Sequence, residues 1–151
     1  MKSILFVCLG NICRSPMAEM MMKDLVNNKN LENEIKVNSK ATSTYEIGNS
    51  PHPLAIQKLK EKKVPTINHT AQQITENDYK EYDYILGMDE QNIIDLKQMA
   101  PDSETEAKIY LATSVLEKPY SIKDPWYDEN FERTYNDLVG ILPIWLEKMT
   151  K

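Results

Sequence analysis

A cysteine at position 8 and an arginine at position 14 bracket Leu9, Gly10, Asn11, Ile12 and Cys13, directly after the apolar run Ile4-Leu5-Phe6-Val7 and directly before Ser15-Pro16. Such an order reads as a strand, a tight loop and a helix start. A backbone of that length between thiol and guanidinium can curl around one tetrahedral oxyanion, its amide N–H groups pointing inward and the arginine forking two oxygens. Gly10 and Asn11 tolerate the backbone shapes that so tight a loop requires. The implied chemistry is phosphoryl transfer to sulfur, with Cys8 as nucleophile in an electropositive setting that favours the thiolate. Ionising a cysteine fully gains only tens-fold, so prearranged amides and a bidentate Arg14 must supply most of the acceleration. A lone cysteine after a strand is ordinarily a buried core thiol. Its spacing to Arg14 is what argues otherwise.

A departing oxygen needs a proton, and Asp124-Pro125-Trp126-Tyr127, in a loop before the last helix, offers a carboxyl group. Asp124 is the candidate general acid, a role that contributes roughly 10²- to 10⁴-fold. Asp-Pro by itself is most often a plain turn. The aromatic pair after it favours function: Trp126 and Tyr127, with Tyr45 from the earlier segment, could wall a slot for a flat ring. His52 and His69 are better read as structural hydrogen-bonding groups than as activators of the thiol. No metal site is expected, since both cysteines share one loop and the histidines have no carboxylate pattern around them.

These residues must be positioned by alternating strands and helices. Strands are predicted at the N-terminal run, at Ile35 to Ser39, at Tyr82 to Met88 and at Lys108 to Leu111. Ser15 is expected to cap the first helix with Pro16 at its first position, and Met17, Ala18, Met21, Met22 and Leu25 to form its core face. A helix after Pro53 should run to about Lys62 before Val64-Pro65 ends it, and Asp89 should cap a helix holding Ile93, Leu96 and Ala100. The run Lys58 to Lys63 reads as a solvated helix face. Phe131, Tyr135, Leu138, Leu142, Trp145 and Met149 form one stripe of a closing helix, with a kink or new start expected between Gly140 and Pro143. This alternation predicts an α/β fold with a parallel sheet covered on both faces and a ligand site outside the carboxyl ends of the strands.

At 151 residues the chain is expected to be a single domain, 1–151. Two cysteines cannot make a disulfide framework, and neither a cleavable leader nor a membrane-spanning run is evident, so a reducing cytoplasm is the expected location. The net charge of −5 argues against nucleic acid and anionic membrane as partners. It does not prevent anion binding, because nearby dipoles and one arginine set the field inside a narrow loop.

The segment Val7 to Pro16 resembles the phosphate loop of the low-molecular-weight protein tyrosine phosphatases, and Asp124-Pro125-Trp126-Tyr127 is similar to their acid loop. The resemblance extends from Ile4 to the last helix. It implies a four-stranded parallel sheet with helices on both faces, the phosphate loop after the first strand, and no cofactor. It implies that Cys8 is the nucleophile, that Arg14 binds phosphate along with the loop residues Leu9, Gly10, Asn11, Ile12, Cys13 and Ser15, and that Asp124 is the acid and base. Asn11, Ser15, Ser39 and His69 match positions that fix the loop by hydrogen bonds, Ser15 also donating to the thiolate. Leu9, Ile12, Tyr45 and Trp126 match the walls of the substrate cleft. Departures from the pattern are Lys40, Gln72 in place of an arginine, and Trp126 in place of a tyrosine.

The implied partners are tyrosine-phosphorylated proteins and an opposing tyrosine kinase, and a monomer is expected. Three alternatives stand beside a phosphotyrosine phosphatase. A protein-arginine phosphatase shares the loop, but Ile12, Trp126 and Tyr127 favour an aromatic phosphate. An arsenate-reductase-like enzyme would pass oxidation to distal cysteines that this chain lacks, although Cys8 and Cys13 could form a protective reversible disulfide. A non-catalytic phosphate-binding protein would have no use for Asp124.

Overall fold

The N-terminal apolar run forms β1 (Lys2–Cys8), and in the computed structural model, which describes Met1–Lys151, it lies between two parallel neighbours. It pairs with β2 (Ile35–Ala41) from Lys2 opposite Ile35 to Cys8 opposite Ala41. On its other side it pairs with β3 (Tyr84–Gly87), which in turn pairs with β4 (Ile109–Leu111). The resulting order is β2-β1-β3-β4. Helices α1 (Arg14–Asn28), α2 (Pro53–Glu61) and α6 (Phe131–Thr150) contribute to the larger core cluster on one face. Tyr79 from α3 (Glu76–Glu81) and Leu96 from α4 (Glu90–Met99) cover the other; α5 (Ser103–Glu106) is a short turn before β4. No helix is long and apolar enough to cross a membrane.

Side-chain alternation along β1 explains why one strand serves both layers. Ile4, Phe6 and Cys8 point into the cluster with Met17, Met20, Trp145 and Leu142, whereas Leu5 and Val7 point into the one with Tyr79, Tyr82 and Leu96. Cys8 therefore faces α1, whose N-terminus begins a few residues later. All four strands end at one edge of the sheet, and the segments that leave them carry Cys8, Tyr45, Asp89 and Asp124. A doubly covered parallel sheet presents ligands at that edge.

Several boundaries differ from the sequence-based expectations. β2 continues past Ser39 to Ala41, while β3 begins only at Tyr84, because Tyr82 closes α3 and the Asp83 carboxylate accepts from the Ser3 backbone at 2.9 Å. α2 stops at Glu61, and Lys63 takes a left-handed turn with φ 62°. α3 and α5 were not predicted; both are short, and each starts with a capping box, at Thr75 and at Asp102. The basic run is only partly solvated, since Lys58 and Lys62 both reach Glu132 at 3.1 Å.

Ser15 does not cap α1. It is the second helical residue, Cys13 occupies the cap position without a side-chain bond, and Pro16 sits third, where a missing N–H is equally harmless. Nor does Pro143 restart the last helix, which runs unbroken for 20 residues. Pro143 and Val139, whose carbonyl loses its partner, both lie on the exposed side, where water can satisfy the carbonyl. Trp145, fully buried, instead anchors that stretch by donating from Nε1 to Ala112 O at 2.8 Å. Pro143→Ala is expected to restore one helical hydrogen bond and raise stability by about 1–2 kcal/mol, the helix gain outweighing the greater freedom of the unfolded chain. Urea unfolding should show it as a higher midpoint at unchanged slope.

Candidate active site

β1 delivers the Cys8 sulfur to the floor of a cleft, 3% exposed as a residue, and α1 opens above it. Between them Asn11 adopts φ 61°, a left-handed turn that asparagine tolerates better than most side chains. Its backbone N–H donates to Cys8 Sγ at 3.3 Å. The backbone N–H groups of Gly10, Ile12, Cys13, Arg14 and Ser15 donate to no acceptor in the chain. The first turn of α1 holds no acidic residue and no side-chain cap, so its amides remain available to an anion.

Ser15 Oγ lies 3.0 Å from Cys8 Sγ. Asn11 Nδ2 already donates to that hydroxyl at 2.8 Å, so the hydroxyl's own proton is left for the sulfur or for the more distant Lys40 carbonyl at 3.5 Å. The same Nδ2 donates to Ser39 Oγ at 3.0 Å, and the Ser39 hydroxyl donates to buried Glu19 at 2.6 Å. Asn11 Oδ1 accepts from the Gln72 backbone at 3.2 Å and lies 3.0 Å from His69 Nε2. One side chain thus ties the loop to α1, β2 and the segment after α2. The expected supporting residues Ser39 and His69 meet here. Glu19 and the Gln72 backbone complete the network; nothing in the sequence marked them, because Glu19 occupies an ordinary helical position.

Arg14 is buried to 2% of its side chain and held from several directions. Nη1 donates to Asp89 Oδ2 at 2.7 Å and to Ile122 O at 2.8 Å, and Nη2 lies 3.5 Å from Asp124 Oδ2. Burial alone would lower its pKa, but the Cys8 sulfur, Asp89 and Asp124 outweigh burial and push it up. Nε is buried with no acceptor in the chain. Asp89, expected only as a helix cap, does both tasks: Oδ1 accepts from Asn92 N at 2.7 Å while Oδ2 serves Arg14. Burial and the nearby Cys8 and Asp124 charges push the Cys13 thiol up, so the second cysteine stays protonated where Cys8 meets donors. Both cysteines are free.

The cleft has a volume of about 250 Å³. Cys8, Leu9, Gly10, Ile12 and Cys13 line its base, Tyr45 and Glu46 one side, and Asp124, Trp126 and Tyr127 the other. Every expected wall residue is therefore at one site, and the expected acid lies among them. Asp124 Oδ1 accepts from Trp126 N at 3.0 Å, which fixes the carboxylate within its own turn. Glu46 is an added wall residue without a chemical signature in the sequence. Two of the three departures, Lys40 and Gln72, are partners, Lys40 Nζ donating to Gln72 Oε1 at 2.8 Å. No group of three or more His, Cys, Asp or Glu is arranged to hold a metal ion.

A family model described as "Low molecular weight phosphotyrosine protein phosphatase" matches residues 3–151. A protein of that description from Gallus gallus is 44% identical over 97% of this chain and 95% of its own length. Among solved structures, YfkJ from Bacillus subtilis superimposes with a TM-score of 0.94 at 36% identity, covering 99% of this chain and 95% of that one. A low molecular weight protein tyrosine phosphatase from Streptococcus pyogenes gives a TM-score of 0.87 at 38% identity, covering 98% and 93%.

His69 supplies a pH test of the network. Burial pulls its pKa below 6.5, against the opposing pull of Glu19. The unfolded chain then takes up this proton before the native one, so its contribution is complete above pH 6.5 and is lost as pH falls through the native value. The gap in urea midpoint between wild type and His69→Gln should therefore narrow from pH 7.5 to pH 5.

Proposed function

Because the chain belongs to the low molecular weight phosphotyrosine protein phosphatase family and is a cysteine-dependent phosphatase of phosphotyrosine, we propose that Cys8, Arg14 and Asp124 carry its reaction through a cysteinyl phosphate. The observation that carries this assignment is the unpaired amides of Gly10, Ile12, Cys13, Arg14 and Ser15, with the orphaned Arg14 Nε, in one loop that starts at the Cys8 sulfur. Unpaired buried donors are costly, and a charged one most of all. Phosphoryl oxygens are acceptors of the right kind and number.

Cys8 Sγ attacks phosphorus in line with the phenolic oxygen, forming the S–P bond as the P–O bond breaks. The spreading negative charge on the equatorial oxygens falls on the loop amides and Arg14, which are already oriented. Asp124 gives its proton to the leaving phenolate. In the second half, the Asp124 carboxylate takes a proton from water as water attacks the cysteinyl phosphate, and the Ser15 hydroxyl steadies the departing thiolate. Tyr45, Trp126 and Tyr127 hold the aromatic ring, and Leu9 and Ile12 its lower edge. Asn11, Ser39 and His69 hold the loop.

The substrates on this reading are tyrosine-phosphorylated proteins, with a tyrosine kinase as the opposing activity. Residues 1–151 act as one domain, and two free thiols, one of them the nucleophile, suit a reducing cytoplasm. Cys8→Ser should abolish turnover of an aryl phosphate and leave phosphate binding measurable. Acid quench of the active enzyme should trap label on Cys8; active enzyme with no trapped label overturns the intermediate. Asp124→Ala should lower kcat by roughly 10²- to 10⁴-fold, most for poor leaving groups. An equal loss for all leaving groups removes Asp124 from the role.

A further inference from the structure

His52 meets both halves of the site. Its backbone N–H donates to Ile12 O of the phosphate loop at 2.8 Å. Its ring caps α2, Nδ1 accepting from Leu54 N at 3.1 Å, which leaves the ring proton on Nε2 and fixes the ring's orientation. The ring's centroid then lies 5.7 Å from that of Trp126, nearly perpendicular at 86°, and 5.0 Å from that of Phe131. Those two aromatic residues stand at opposite ends of the acid loop: Trp126 follows Asp124-Pro125, and Phe131 opens α6.

The two aromatic contacts differ in kind. Phe131 is 2% exposed and belongs to the core, whereas Trp126 is 52% exposed. A ring fixed by its cap and seated on Phe131 is thus a rigid stop for a side chain that otherwise faces solvent. What it stops matters for catalysis, because the Trp126 indole is carried on the same residue whose backbone N–H donates to Asp124 Oδ1, so fixing the side chain restrains the turn that holds the carboxylate beside Arg14.

We propose that His52 is a positioning residue of the phosphatase reaction, its ring holding Trp126 and through it Asp124 in place over the phosphate loop. This rests on the reading of Asp124 as the proton donor. The role is unlike activation of the thiol by histidine, since the ring contacts described are with α2, Trp126 and Phe131. An aromatic contact of this geometry is worth a factor of roughly 2 to 12 in a population or a rate.

His52→Asn keeps a good helix cap and removes the ring. It should lower kcat by about 2- to 12-fold for poor leaving groups and less for good ones, with the inhibition constant of inorganic phosphate unchanged. His52→Phe, which keeps a ring but loses the cap that orients it, should recover part of the parent leaving-group dependence. In a Trp126→Ala background, His52→Asn should add nothing further. An equal loss across leaving groups, or weaker phosphate binding in parallel with lost stability, would mean that the ring only fills space and overturns the proposal. If His52→Asn does not fold, Trp126→Ala alone is expected to steepen the leaving-group dependence, and a parent-like dependence overturns the proposal. Asp124→Ala separates the two readings: a steep dependence there with a flat one in His52→Asn sinks only the role of His52. No dependence in Asp124→Ala sinks both.

Discussion

The whole site depends on keeping one arginine charged inside the protein. Arg14 is nearly solvent-free, and because a guanidinium keeps its charge even when buried, without partners it would carry a large uncompensated desolvation cost. Two carboxylates and a carbonyl prevent that, Asp89 and Ile122 on one nitrogen and Asp124 on another. Their arrangement is unequal in a useful way. Asp89 makes a short, direct bond and is itself locked as the cap of α4, whereas Asp124 stands farther off at 3.5 Å. The guanidinium is thereby anchored chiefly by Asp89, and the Asp124 carboxylate stays near it without being tied up by the pairing.

Around this cation the loop is shaped by a neutral network. Asn11 uses both amide hydrogens and its carbonyl oxygen, and each partner belongs to a different part of the chain. Buried polar groups satisfied in this way define a single arrangement, because removing one member strands the others. The direction of donation also matters. Glu19 accepts from Ser39 and Asn11 donates to Ser39, so the chain of bonds has a fixed sense that ends with the Ser15 hydroxyl offered to sulfur. A carboxylate placed well away from the sulfur thus helps orient the donor beside it.

The sequence carried the parts of the site that are contiguous. Cys8 to Ser15 and Asp124 to Tyr127 each combine residue types with a spacing that has a mechanical meaning, and the alternation of elements placed the first at the end of a strand. Residues that act across the fold were less legible. Asp89 looked complete as a helix cap, so its second bond to Arg14 had no local signature, and Glu46 and His52 gain their meaning only when distant segments meet. The cap expected of Ser15 fails for a related reason: a serine before a proline is a good local cap, but the helix already starts one residue earlier, at Arg14, and the hydroxyl lies against the sulfur, the contact that the family resemblance implies. Pro143 was misjudged because its cost depends on which side of α6 it faces, and its position in the stripe alone did not reveal that water reaches it.

The two halves of the cleft obey different physics. The anion half is buried, polar and fully braced, while Tyr45, Trp126 and Tyr127 are 78%, 52% and 80% exposed. Large aromatic surfaces left in water represent unused hydrophobic contact, and a flat ring entering between them would remove water from all three. Depth then selects the substrate. On the proposed assignment the phosphoryl group reaches the sulfur at the floor with its ester oxygen toward Asp124, and a ring fills the slot above it with apolar contact along its length. A short aliphatic phosphate reaching the same floor would leave the walls wet and bring the peptide backbone down against them. On that assignment, preference for an aromatic ester comes from the exposed aromatic walls, and catalysis from the donors of the loop beneath them.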